Sequence, residues 1–193
     1  MMPTLNILST NGQVPDPDLE KLRYPIGQFE KRPFSETQKM KWISDIQSLP
    51  ALMELAVQSL DAPALHTPYR PGGWTIHQLV HHVADSHMNA YIRLKMALTE
   101  HRPVIKSYEE HLWAELEDTK ALPVNISLTL LHSLHLRWAK IYESLKETDW
   151  DKVMIYPQDQ KEVDLWEHLG LYSWHGRHHL AHIMELKDRM GWS

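Results

Sequence analysis

The chain has no cysteine among its 193 residues. That absence excludes a disulfide scaffold, a thiolate-ligated zinc or iron–sulfur centre, and a catalytic protein thiol. No stretch approaches the ~18 consecutive apolar residues of a membrane span. The first residues lack the basic and apolar regions of a signal peptide, so a reducing cytoplasm is the expected location. Charge of one sign is also missing: the net value of −5 gives no general attraction to nucleic-acid phosphates or anionic lipid. Neither an internal repeat nor a shift in composition divides the chain. With 42% hydrophobic and 23% charged residues, it reads as one globular domain, large enough to bury about 70% of its unfolded surface.

Four segments carry helical periodicity. The first opens at Ser35-Glu36-Thr37-Gln38 and runs through Trp42, Ile43, Ile46, Leu49, Leu52, Leu55 and Leu60, with Pro50 expected to kink or split it. The second opens at Thr75-Ile76-His77-Gln78, behind Gly72-Gly73 and Trp74, and carries Leu79, Val80, Val83, His87, Ala90, Leu94 and Leu98 to about Glu100. A third is expected from Ser127 as its cap, through Leu131, Leu134, Leu136, Trp138, Ile141 and Leu145. The fourth starts at Asp164-Leu165-Trp166-Glu167 and ends near Gly191, a natural carboxyl-terminal cap. Ser35, Thr75 and Asp164 each stand three residues before Gln or Glu, the capping-box spacing. Between the second and third helices lies a long crossover broken by Pro103 and Pro123, with a helical turn expected around 108–116. A small hairpin is expected where Val153–Tyr156 and Lys161–Val163 flank a polar turn. The predicted fold is all-α: a four-helix bundle over 24–193 with an amino-terminal tail over 1–23.

Histidine is abundant, at 14 residues, and clustered. His77, His81, His82 and His87 fall in the second helix; His168, His175, His178, His179 and His182 fall in the fourth. His175/His179 and His178/His182 are spaced i, i+4, so either pair projects from one helical face and could chelate an ion. His179 shares the apolar stripe of Leu165, Leu169, Tyr172 and Ile183, and His175 lies at its edge, whereas His178 points well away. Periodicity favours His175/His179 and leaves the third ligand open among the histidines of the second helix. No His-Glu-x-x-His motif supplies a ready base.

The run Trp74-Thr75-Ile76-His77-Gln78-Leu79-Val80-His81-His82-Val83-Ala84-Asp85-Ser86-His87-Met88-Asn89, and the run Leu171-Tyr172-Ser173-Trp174-His175-Gly176-Arg177-His178-His179-Leu180-Ala181-His182-Ile183, resemble the YfiT family of metal-dependent hydrolases, within the DinB-like bundle superfamily. Tyr24-Pro25-Ile26-Gly27 resembles the family's start, so the likeness spans about 24 to 193. The resemblance implies one divalent ion per chain, Zn(II) or Ni(II), held by His82, His175 and His179. It implies a homodimer acting on a small-molecule substrate. Relatives in the superfamily that transfer low-molecular-weight thiols of the bacillithiol type add S-transfer as an alternative to hydrolysis.

Three imidazoles leave an ion its full charge and an open position, which suits activation of either water or a thiol. Asp85 and Glu185 are candidates to hold a ligand histidine from behind, against the plainer reading that they are solvated or paired with Arg93 and Arg189. Arg177 is a candidate to hold an anionic substrate group, against an ordinary surface ion pair. A non-catalytic, stress-related bundle that keeps its histidines as structure is the remaining reading.

Overall fold

A computed structural model describes residues 17–192. Helix α1 (Pro17–Arg23) precedes α2 (Glu36–Val57), the short α3 (Ala62–Leu65) and α4 (Ile76–Thr99). The crossover carries α5 (Glu110–Trp113) and α6 (Glu117–Ala121) before α7 (Val124–Ser144). A 3-10 turn at Glu147–Asp149 leads to the hairpin β1 (Val153–Tyr156) and β2 (Lys161–Asp164), and the last element is α8 (Leu165–Met190). Residues 1–16 of the expected tail lie outside the described residues; its last seven, Pro17–Arg23, form α1. Among the described residues no helix is long and apolar enough to cross a membrane.

The helix starts follow from side-chain capping. Ser35 accepts from the Gln38 amide, Asp164 accepts from the Glu167 amide, and Thr75 and Gln78 form a reciprocal capping box. Gly191 ends α8 in the left-handed conformation at φ 67°. Two expectations are corrected. Pro50 neither breaks nor splits α2, which is one helix over Glu36–Val57; its neighbours α7 and α8 clamp it on both sides. The third long helix begins at Val124 rather than after Ser127; Pro123, which has no N–H to leave unpaired, stands at its N-cap.

The four long helices form the bundle. Helix α2 packs on α7 and α8, and α4 packs on the same two, so α2 and α4 stand at opposite corners. The antiparallel hairpin pairs Met154 with Val163, and the crossover docks on it where the Ile105 amide donates to the Ile155 carbonyl at 3.0 Å. Two apolar clusters fill the interior. One contains Ile46, Ala90, Leu94, Trp138, Leu169 and Tyr172; the other contains Leu49, Val83, Ala84, Leu131, Ile183 and Leu186. Between them, on three of the four helices, lies a layer of buried histidine: His87 on α4, His135 on α7, and His175, His179 and His182 on α8.

Candidate metal centre

Helix α4 contributes His82 and α8 contributes His175 and His179, and each of the three is buried. One ring nitrogen from each lies within 4.8 Å of those of the other two. The rings of His82 and His179 meet edge to face at 5.0 Å, and those of His175 and His179 at 4.5 Å. Burial, reinforced by the neighbouring imidazoles, pushes the pKa of His82 and His179 well below the ordinary 6.5; the same cause takes His175 to about 3. All three are therefore neutral near pH 7, with a lone pair available. Three neutral imidazoles at the wall of a cavity are a donor set that fits Zn²⁺, Ni²⁺ or a similar ion.

A second group, His178, His179 and His182, is equally close. All three of its members lie on α8, whereas the first group joins two helices and lines the cavity with every member. His182 is already engaged by the Arg23 carbonyl at 3.2 Å. His178, off that apolar stripe, is nonetheless buried. The chain from Arg23 to Arg32 runs along α8, tied down where the Trp174 indole N–H donates to the Gly27 carbonyl and that of Trp166 to the Arg32 carbonyl. Tyr24 and Trp174 cover the His178 ring. Periodicity within a four-helix core has no term for this fifth layer.

The other α4 histidines have different tasks. His81 places Nδ1 2.8 Å from Ser127 Oγ and Nε2 3.1 Å from the Leu122 carbonyl, which fastens the end of the crossover and the start of α7 to α4. His77 reaches the same carbonyl. His87 lies behind His175, with Nε2 3.0 Å from His175 Nδ1.

The carboxylate candidates do not join the group. Asp85 faces the crossover, where burial and the nearby Asp118 raise its pKa to about 6. Glu185 is partly exposed on α8 and forms no hydrogen bond or ion pair with any of the three histidines among the described residues. Arg93 and Arg189 do not pair with them either; they donate to the carbonyls of Lys106 and Tyr69. Arg177 is an ion-pair residue: its Nε lies 3.2 Å from an Asp45 carboxylate oxygen, away from the cavity wall.

The cavity has a volume of about 410 Å³. Its positive charge comes from Arg70 and Arg93, both 7% exposed, together with the more exposed Arg23 and Lys161. Among the described residues Arg70 Nε is buried without a hydrogen-bond partner, and the hydroxyls of Tyr156 and Tyr172 are buried close to Arg93. Ser86 Oγ stands 3.5 Å from His175 Nε2, and the Trp74 indole packs at 4.3 Å from the His82 ring. The signal that marks Arg93 as buried is its place one turn from Ala90 and Ala97. Arg70 sits in the loop before α4, where no periodicity exists to mark it.

Residues 46–183 match the DinB superfamily model. A Bacillus cereus protein named "Putative metal-dependent hydrolase" is 53% identical over 175 residues, covering 90% of this chain and all of the relative. A Bacillus licheniformis protein of the same name is 48% identical over 176 residues, covering 91% of this chain and all of that relative. Among solved structures, YfiT from Bacillus subtilis superposes with a TM-score of 0.87 at 46% identity, over 90% of this chain and 99% of its own. It is described as a probable metal-dependent hydrolase with an unusual four-helix bundle topology.

Proposed function

The chain belongs to the DinB superfamily, and from that premise we propose that it is a metal-dependent hydrolase with one zinc or nickel ion on His82, His175 and His179. The observation that carries this reading is the convergence of three buried, neutral imidazoles from α4 and α8 on the wall of a cavity about 410 Å³ in volume. Similarity to relatives named as metal-dependent hydrolases over their whole length points the same way.

An ion held by His82, His175 and His179 would supply Lewis acidity, which would bring the ionisation of a water or a thiol into the neutral range. The chain's own residues do the rest. The guanidinium groups of Arg70 and Arg93 hold an anionic part of a small-molecule substrate. The Tyr172 and Tyr156 hydroxyls beside Arg93, which burial keeps protonated, offer hydrogen bonds to substrate oxygen. Two carboxylates line the cavity. Lys31 and Lys161 engage Glu167, whereas Glu110, its pKa raised by burial, is the one left to take up a proton.

One observation favours a second reading, transfer of a low-molecular-weight thiol onto an electrophile. Among the described residues no carboxylate stands beside the three histidines in the place that the Glu of His-Glu-x-x-His would take, and a thiol held as thiolate needs less help from a base. The protein loaded with zinc or nickel should be assayed on small ester and amide substrates, and in parallel for thiol addition to an electrophile. Turnover in one set, lost on removal of the ion and in His179→Ala, is the expected result. Turnover that survives both changes would contradict a metal-centred reaction.

A further inference from the structure

Pro50 has no N–H, so the Ile46 carbonyl, one turn earlier in α2, lacks the helical partner that any other residue at position 50 would give it. His135 of α7 takes that place, with Nδ1 2.5 Å from the Ile46 oxygen. A carbonyl only accepts, so His135 Nδ1 carries the proton. A neutral imidazole with one nitrogen protonated has the other as an acceptor. His135 Nε2 therefore accepts, and the atom facing it at 2.8 Å, His87 Nδ1, donates. The same rule makes His87 Nε2 an acceptor, so His175 Nδ1, 3.0 Å away, is a donor. His175 Nε2 is then left with its lone pair, on the side where it meets Ser86 at the cavity. The three rings are 0%, 1% and 3% exposed, so water does not compete for these hydrogen bonds.

We propose that His135 and His87 form a carbonyl-anchored relay that fixes His175 as its Nδ1–H tautomer and aims its Nε2 lone pair at the metal position, with Pro50 supplying the free carbonyl. Metal-ligating histidines are ordinarily oriented by a hydrogen-bond acceptor behind the ring, often a carboxylate; here histidine does that work. The second helical ligand is backed alike. His182 Nε2 donates to the Arg23 carbonyl at 3.2 Å, and its Nδ1 lies 3.4 Å from His179 Nδ1, which leaves His179 Nε2 free. His87, His135 and His182 are positioning residues. Their part in metal binding rests on the metal reading above; the tautomers do not.

Nitrogen-15 NMR of the histidine rings in the metal-free full-length protein tests the tautomers, with His87→Gln and His135→Gln variants for assignment. Protonated Nδ1 in His135, His87 and His175 is expected. A His175 protonated at Nε2 would overturn the relay. Zinc affinity, measured by competition with a chelator, tests the consequence. His135→Phe should weaken binding about 10- to 100-fold, the range for such supporting residues. His135→Gln should recover most of it, because the amide oxygen accepts from His87 Nδ1. Pro50→Ala returns an N–H to the Ile46 carbonyl and should weaken zinc binding less than His135→Phe does. A folded His135→Phe with wild-type affinity would refute the positioning role, and if that variant does not fold, the wild-type tautomers and the Gln variants decide. Failure of the wild type to bind zinc would instead refute the metal reading, while the ring spectra still decide the relay.

Discussion

At the scale of single residues, burial sets the chemistry. His82, His175 and His179 are neutral because water is excluded from them, with neighbouring imidazoles adding to the effect. The i, i+4 spacing made the α8 pair legible in the sequence. Spacing could not choose among His81, His82 and His87, because what decides is where the crossover ends: Leu122 and Ser127 claim His81. Asp85 shows the opposite consequence of burial. Its pKa is raised from 3.8 to about 6, first by desolvation and then by Asp118. Between those values the folded state holds a proton that the unfolded state has released, so this residue's contribution to stability falls as pH rises through the window. Above pH 6 the charged carboxylate opposes folding, and Asp85→Asn should stabilise the protein by about 1 kcal/mol at pH 7, after allowance for partial solvent screening. Urea unfolding of the two proteins checks this; an equal or lower midpoint for the Asn variant at pH 7 would contradict it.

At the scale of elements, the capping residues and the apolar stripes made α4 and α8 legible nearly to the residue, and α2 at its start. The misreadings have local causes. Pro50 breaks an isolated helix, but packing of α2 against α7 and α8 holds it continuous. Ser127 resembles a cap, yet its hydroxyl is engaged by His81. The contact between α2 and α8 depends on glycine in a way that no local pattern reveals. A Cβ at Gly170 would stand 2.7 Å from the Trp42 indole, a rigid ring that cannot bend aside. Gly170→Ala gains helix propensity of about 1 kcal/mol, but overpacking a core costs typically about 1–3 kcal/mol. The variant should therefore melt below the wild type, and a thermal scan showing an equal or higher midpoint would contradict this account of the interface.

At the scale of the whole molecule, a layer of histidine divides two apolar clusters in one bundle. The bundle itself was legible from four amphipathic segments; the layer was not, because His135 and His87 occupy stripe positions that read as ordinary core. Such a layer makes stability depend on acid. Burial lowers His135 of that layer to about 4, and His168, buried beside Tyr142 in the first cluster, to about 3, against 6.5 in the unfolded chain. Below pH 6.5 the unfolded state binds protons that the folded state refuses, so stability is full above that pH and is lost as pH falls toward 4 and 3. At about 1.4 kcal/mol per pH unit for each group, these two alone predict a loss of about 3–4 kcal/mol between pH 6.5 and 5. Urea midpoints across that range test it, and a flat profile would contradict it. The central claim is that His82, His175 and His179 hold one divalent ion, and its most direct test is elemental analysis of the untagged protein beside His82→Ala, His175→Ala and His179→Ala. About one ion per chain in the wild type, lost in each variant while helicity persists, is the predicted result. Full metal content in a variant, or none in the wild type after reconstitution with zinc and nickel, would contradict it.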